Sequence, residues 1–136
     1  MSLFAEQELR LAHDILAACR KKGITIVTAE SCTGGLVAAC FTEIAGASDV
    51  FERGFVTYSN AAKRELLGVK LETLQNHGAV SMQTALEMAT GALASSKAGL
   101  AVSVTGIAGP GGGSKDKPVG LVYIAVATKT EQESRE

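Results

Sequence analysis

Positive charge is not in surplus: 13 Lys and Arg stand against 14 Asp and Glu, a formal net charge of -1. A chain so balanced lacks the basic field that draws nucleic acid, so no nucleic-acid partner is expected. Long apolar runs are also missing. The opening stretch, MSLFAEQELRLAHDILAAC, has neither the charged-then-apolar pattern of a signal peptide nor the length to span a bilayer. No membrane association is expected, and the reading is of a cytoplasmic protein. Paired cysteines are absent too. Cys19, Cys32 and Cys40 are odd in number and form no CxxC, which excludes a disulfide framework and a zinc ribbon. Free thiols are expected, Cys19 and Cys40 on apolar helix faces. Histidine is nearly absent: only His13 and His77 could act as an imidazole base for Cys32, and His13 falls inside an amphipathic segment. No internal repeat or heptad occurs.

What is present is an alternation of strand-like and helix-like segments. Ala12, Ile15, Leu16 and Cys19 recur at helical spacing, and Gly23 after two lysines ends that helix. ITIVTA (24–29) reads as a strand, ESCTGG as a loop, and LVAACFTEIAG as a helix ending at Gly46. GFVTY (54–58) is a second strand and NAAKRELLGV a short helix closed by Gly68. A further turn or two spans 71–76, and Ser81 caps a longer helix over MQTALEMATGALASS. GLAVSVTG (99–106) and VGLVYIAVAT (119–128) are apolar enough to be strands covered on both faces. The expected fold is therefore α/β: one domain, residues 1–136, in a three-layer-like sandwich of helices on a mixed, partly parallel sheet. In such sheets, sites gather beyond the carboxyl ends of the strands. ESCTGG, YSN and TGIAGPGGGSKDK all fall there.

Within ESCTGG, the hydroxyls of Ser31 and Thr33 precede Gly34 and Gly35 at a helix start, an arrangement suited to a substrate anion or oxyanion. A capped helix with packing glycines is the plainer reading. The loop after Gly106 matches neither GxxxxGK[ST] nor GxGxxG, so a triphosphate site is poorly supported, while Thr105 and Gly106 remain candidate substrate contacts. Lys63 poses a question of its own. With Asn60 as cap, Lys63 takes the third helical position, where the positive helix end repels a cation and a carboxylate is the stabilising choice. A lysine placed there and withdrawn from water loses its proton readily and can serve as a base, with Tyr58 relaying the proton. A solvated surface lysine is the alternative. Such a base needs a serine, and Ser31 and Ser48 compete: Ser31 has nearby backbone amides, whereas Ser48 opens the segment leading to Tyr58 and Lys63.

TAESCTGGLVA, FERGFVTYSNAAK, HGAVS and VSVTGIAGPGGGSKDKPVGLVY together resemble the C-terminal domain of the CinA competence/damage-inducible family, also known as nicotinamide-nucleotide amidase. The matches stand in the family's order and cover the chain to about Thr128. The resemblance implies hydrolysis of the carboxamide of nicotinamide mononucleotide to nicotinate mononucleotide and ammonia, with no metal or other cofactor. It also implies a Ser/Lys dyad aided by Tyr, which puts Lys63 and Tyr58 in the catalytic set. The family's small-residue GAS turn points to Ser48 as nucleophile. Ser31, Thr33, Gly34, Gly35, Thr105 and Gly106 are then the expected substrate contacts.

Set against the family, this sequence reads as the amidase-like domain by itself. The molybdopterin-binding-like domain that often precedes it is not in view, nor are the strand, Gly-Asp-Arg turn and helix that usually come after it. An uncovered face, and hence a homo-oligomer, is expected. Two other functions compete: a pyridine-nucleotide-binding regulatory domain without turnover, and a phosphate-ester or pyrophosphate hydrolase. The latter would need a carboxylate cluster for metal ions, for which the sequence offers only Glu30, Glu43, Asp49 and Glu52.

Overall fold

The computed structural model describes residues 2–136. Helix α1 (Glu6–Lys22) starts where the Glu8 carboxylate accepts from the Ala5 N–H at 2.8 Å, and it ends on the left-handed Gly23. Glu6 and Glu8 lie in its first turn and Arg20, Lys21 and Lys22 in its last, as the helix dipole favours. Strand β1 (Ile26–Glu30) and helix α2 (Leu36–Thr42) come next. The helical pattern expected to run to Gly46 stops at Thr42, because the chain tightens through Ile44 N–H to Phe41 O and Ala47 N–H to Ile44 O into a 3-10 turn, Ala47–Asp49. Strand β2 (Phe51–Val56) therefore begins and ends earlier than GFVTY suggests.

Helices α3 (Asn60–Leu67), α4 (Leu71–His77) and α5 (Met82–Ala94) then lead to β3 (Leu100–Gly106) and β4 (Val122–Ala127). A short strand not anticipated from the polar tail, β5 (Gln132–Arg135), pairs antiparallel with β4. It is the pairing partner, not residue preference, that makes QESR extended.

The sheet order is β2-β1-β3-β4-β5, with β1 parallel to both neighbours and β3–β4 antiparallel. The chain runs outward from β1 to β2 and then returns past β1 to β3. This reversal leaves a crevice at the carboxyl ends of the parallel strands. Strand alternation divides the core. Ile26 packs with Leu16, Cys19, Phe41 and Val50 beneath α1 and α2, whereas Val27 and Ala29 face Leu67, Met88 and Ala89 of α3 and α5. The three layers of the expected sandwich are thus present, and Cys19, Cys32 and Cys40 are free thiols. On the α1/α2 side of β4, Ile124 and Val126 remain 45% and 37% exposed. No helix among the described residues is long and apolar enough to cross a membrane.

One contact fixes the seat of α3. A Cβ added at Gly91 of α5 would lie 1.8 Å from the Leu67 carbonyl, so the two helices meet at a distance that only glycine allows. Lys63 and Leu67, one turn apart, share the face pressed inward by this contact.

Candidate active site

Glu30 and Val56 stand side by side at the ends of β1 and β2, level with Val104 of β3. Past that line the backbone stays paired for one more step, through Ser31 N–H to Val104 O (3.0 Å) and Thr57 N–H to Glu30 O (2.8 Å). Alternation along β1 then sends consecutive side chains to opposite faces. Glu30, 1% exposed, turns toward α2: Oε1 accepts from Thr33 Oγ1 (2.6 Å), Gly35 N (3.2 Å) and Val37 N (2.9 Å), and Oε2 from Ala38 N (3.0 Å). Its carboxylate neutralises the positive end of α2 and fixes the turn, in which Gly34 and Gly35 adopt φ of +60° and +110°. Ser31 turns the other way, toward α3.

Lys63 meets it there. The cap of α3 is Ser59, whose Oγ accepts from Ala62 N at 3.0 Å, so Lys63 stands one place later than a cap at Asn60 implies. Its side chain is not a cation facing solvent. It is 1% exposed, with Nζ 2.8 Å from Ser31 Oγ, 2.9 Å from the Thr57 carbonyl and 3.1 Å from the Tyr58 carbonyl. Burial pushes the amine below the usual lysine range, against a smaller opposing effect of Cys32. Three neighbours match the three N–H donors of an ammonium. They match the neutral amine equally well: the carbonyls take its two N–H groups and its lone pair faces the serine hydroxyl. A proton can therefore pass between Ser31 Oγ and Lys63 Nζ with no movement of the heavy atoms that hold it, which is the preorganisation catalysis requires.

Ser31 and Lys63 lie at a cavity of about 310 Å³, also walled by Cys32, Tyr58, Val80, Thr105 and the glycine loop from Gly106 to Gly112. The structure thus brings together Ser31, Tyr58, Lys63, Thr105 and Gly106. It does not bring in Ser48, which is exposed in the 3-10 turn before β2. A strand of six residues separates that turn from Thr57, about 20 Å at the usual rise per residue. The segments that enter and leave a strand lie at its opposite ends, and this is why neighbours in sequence fail to meet. Thr33, Gly34 and Gly35 are likewise turned away from the cavity. The Thr33 hydroxyl and the Gly35 amide serve Glu30, and the Gly34 amide is bound to Ser31 O. The Tyr58 side chain, 75% exposed at the rim, makes no hydrogen bond to Lys63 or Ser31; its carbonyl does. The Thr105 hydroxyl donates to Ala79 O at 2.8 Å.

Burial pushes the Cys32 thiol up, against the pull of the Cys32 and Thr33 amides and of Lys63. Neither His13 nor His77 borders the cavity, so a Cys/His pair does not form. Three of the scattered acids are engaged elsewhere, Glu30 on α2, Asp49 with Arg20 and Glu52 with Arg53. Among the described residues no group of three or more His, Cys, Asp or Glu side chains is arranged to hold a metal ion. The residue that sequence reading missed is Glu30, counted there as one scattered acid. The signal was its position: a carboxylate at a strand end just ahead of an uncapped helix.

Known proteins resemble this chain along nearly its whole length. The family model described as CinA C-terminal domain matches residues 8–136. The nicotinamide-nucleotide amidohydrolase PncC of Escherichia coli K12 is 56% identical over 120 residues, 88% of this chain and 73% of that protein. A putative competence-damage inducible protein of Caldicellulosiruptor bescii is 57% identical over 126 residues, but this chain spans only 31% of its length. Among solved structures, the competence/damage inducible protein CihA of Agrobacterium tumefaciens superposes with a TM-score of 0.97 at 56% identity, covering 100% of this chain and 83% of that one. With a matching family model, the same sheet and the same helices, this chain belongs to the CinA C-terminal domain family.

Proposed function

We propose that the chain hydrolyses the carboxamide of nicotinamide mononucleotide, with Ser31 as nucleophile and Lys63 as its base. The observation that carries this reading is a buried lysine amine 2.8 Å from a serine hydroxyl at the wall of a cavity. The substrate comes from the E. coli relative, whose name states that activity.

Neutral Lys63 takes the Ser31 proton while Oγ attacks the amide carbon. The amides of Gly34, Gly35 and Leu36 are already bound within the turn. That of Cys32, whose residue walls the cavity beside Ser31, holds the oxyanion. Lys63, now an ammonium, gives its proton to the departing nitrogen, and ammonia leaves an acyl ester on Ser31. Water, deprotonated by Lys63, releases nicotinate mononucleotide and restores the serine. Tyr58 acts through its carbonyl by fixing the amine, and its ring borders the entrance. Thr105 and Gly106 form the opposite wall.

The reading carries with it a small-molecule substrate, a cytoplasmic site of action and no nucleic-acid partner. It also includes self-association, supported by the exposed Ile124 and Val126. The test is ammonia release from nicotinamide mononucleotide by the wild type, Ser31→Ala and Ser48→Ala. Release lost in Ser31→Ala and kept in Ser48→Ala is expected. Binding of the nucleotide without release by the wild type would leave a regulatory domain instead, and loss confined to Ser48→Ala would return the nucleophile to that serine.

A further inference from the structure

The glycine-rich loop walls the cavity from Gly106 to Gly112, yet most of it is exposed and has little regular structure. Its far end is more ordered. Ser114 and Lys117 close a turn through Ser114 N–H to Lys117 O (2.7 Å) and Lys117 N–H to Ser114 Oγ (3.0 Å). From this turn the Lys117 side chain reaches across and donates from Nζ to the carbonyl of His77, at the end of α4. A cation on that carbonyl also answers the negative end of the helix.

The receiving segment is unusually well fixed. The His77 carbonyl is held by Lys117, that of Gly78 by the hydroxyls of Ser81 (3.0 Å) and Thr84 (2.7 Å), and that of Ala79 by Thr105. Gly78 itself has φ +80° and ψ 171°, a conformation essentially restricted to glycine, and a Cβ there would approach Lys117 Nζ to 3.0 Å. Ala79 and Val80, the next residues, form cavity wall. HGAVS and GGGSKDKP, forty residues apart at their contact, are thus two halves of one joint.

We infer that Lys117 is a positioning residue for substrate binding: its bond to the His77 carbonyl latches the glycine loop against the α4–α5 corner and completes the pocket beside Ser31 and Lys63. This rests on the amidase reading above. Without the latch the loop samples open forms, and affinity falls by the fraction of time the wall is missing. The reacting groups, held by β1, β2 and α3, stay in place.

The experiment compares Lys117→Met and Lys117→Arg with the wild type on nicotinamide mononucleotide and on nicotinamide riboside, which lacks the phosphate. Lys117→Met is expected to raise KM roughly tenfold for both substrates and change kcat less than about threefold, with Lys117→Arg restoring most of the loss. Trypsin supplies a readout independent of turnover. The Lys117–Pro118 bond resists the protease whichever residue precedes the proline, so cleavage in the loop reports Lys115 alone. Faster cleavage after Lys115 in Lys117→Met than in the wild type is expected. Equal cleavage rates overturn the latch, as does a KM effect confined to the mononucleotide, which would make Lys117 a phosphate contact. If the wild type releases no ammonia from either substrate, the amidase reading fails while the trypsin comparison still decides the latch.

Discussion

Replacing Lys63 by methionine keeps the length of the side chain and removes its amine. The buried neighbours then lose a partner: the Thr57 and Tyr58 carbonyls and Ser31 Oγ all contact Nζ. An unpaired buried carbonyl costs about 1–3 kcal/mol, offset in part because the amine no longer has to be withdrawn from water. Native domains are stable by about 5–15 kcal/mol on general grounds, so the variant is expected to stay folded and its rate to report chemistry. The expected loss of kcat is about 10²–10⁴-fold, the usual contribution of a general base, or roughly 3–5 kcal/mol of transition-state stabilisation. Ammonia release measures it, with a thermal melt beside it. Wild-type kcat/KM should rise with pH as Lys63 loses its proton, with a midpoint below the ordinary lysine value of 10.5. The same shift has a consequence for stability. Between the folded and unfolded lysine values the unfolded chain binds more protons, so this contribution to stability grows as pH rises toward 10.5 and is lost as pH falls through the folded value. Lys63→Met should lack that slope. A variant keeping more than about a tenth of wild-type kcat, or a wild-type profile flat with pH, would refute a lysine base.

Glu30→Gln should destabilise the fold by about 2–4 kcal/mol, because an amide NH₂ must face one of the N–H groups that the carboxylate now accepts and the charge on the α2 terminus is lost. Denaturant unfolding reads the loss, and a change under about 0.5 kcal/mol would show that the cap matters little. Gly91→Ala should cost about 1–3 kcal/mol even though alanine favours helix, since its methyl must displace the Leu67 carbonyl. A decrease in kcat should accompany it as α3 carries Lys63 away from Ser31; a stabilised, fully active variant would contradict the close approach.

Much of the fold is legible in the chain. Gly23 and Gly68 end helices as their positions suggest, Ser81 caps α5, and the strands fall in the β-branched and apolar runs. Boundaries drifted where a tertiary partner decides: QESR is a strand because β4 lies beside it, and α2 stops at Thr42 where the chain tightens into the 3-10 turn. At the site, Lys63 and Tyr58 stand out by residue type, but the contact Tyr58 makes with Lys63 is through its carbonyl, and no sequence pattern distinguishes a backbone contact. Thr33 and Gly35 read as anion ligands in the sequence, and the anion they bond in the fold is the carboxylate of Glu30, five or fewer residues away.

Local chemistry alone determined the alternation of helices and strands, the polar strand ends, and the presence of a lysine where a helix start disfavours one. Which serine faces that lysine depends on strand direction. Ser31 comes after β1 and Ser48 before β2, and only the parallel pairing of the two strands puts the first beside Lys63 and leaves the second at the opposite, amino end of the strands. Direction and adjacency are properties of the packed sheet. They arise when hydrogen bonds and buried faces from distant segments are satisfied together, and no window along the chain contains them.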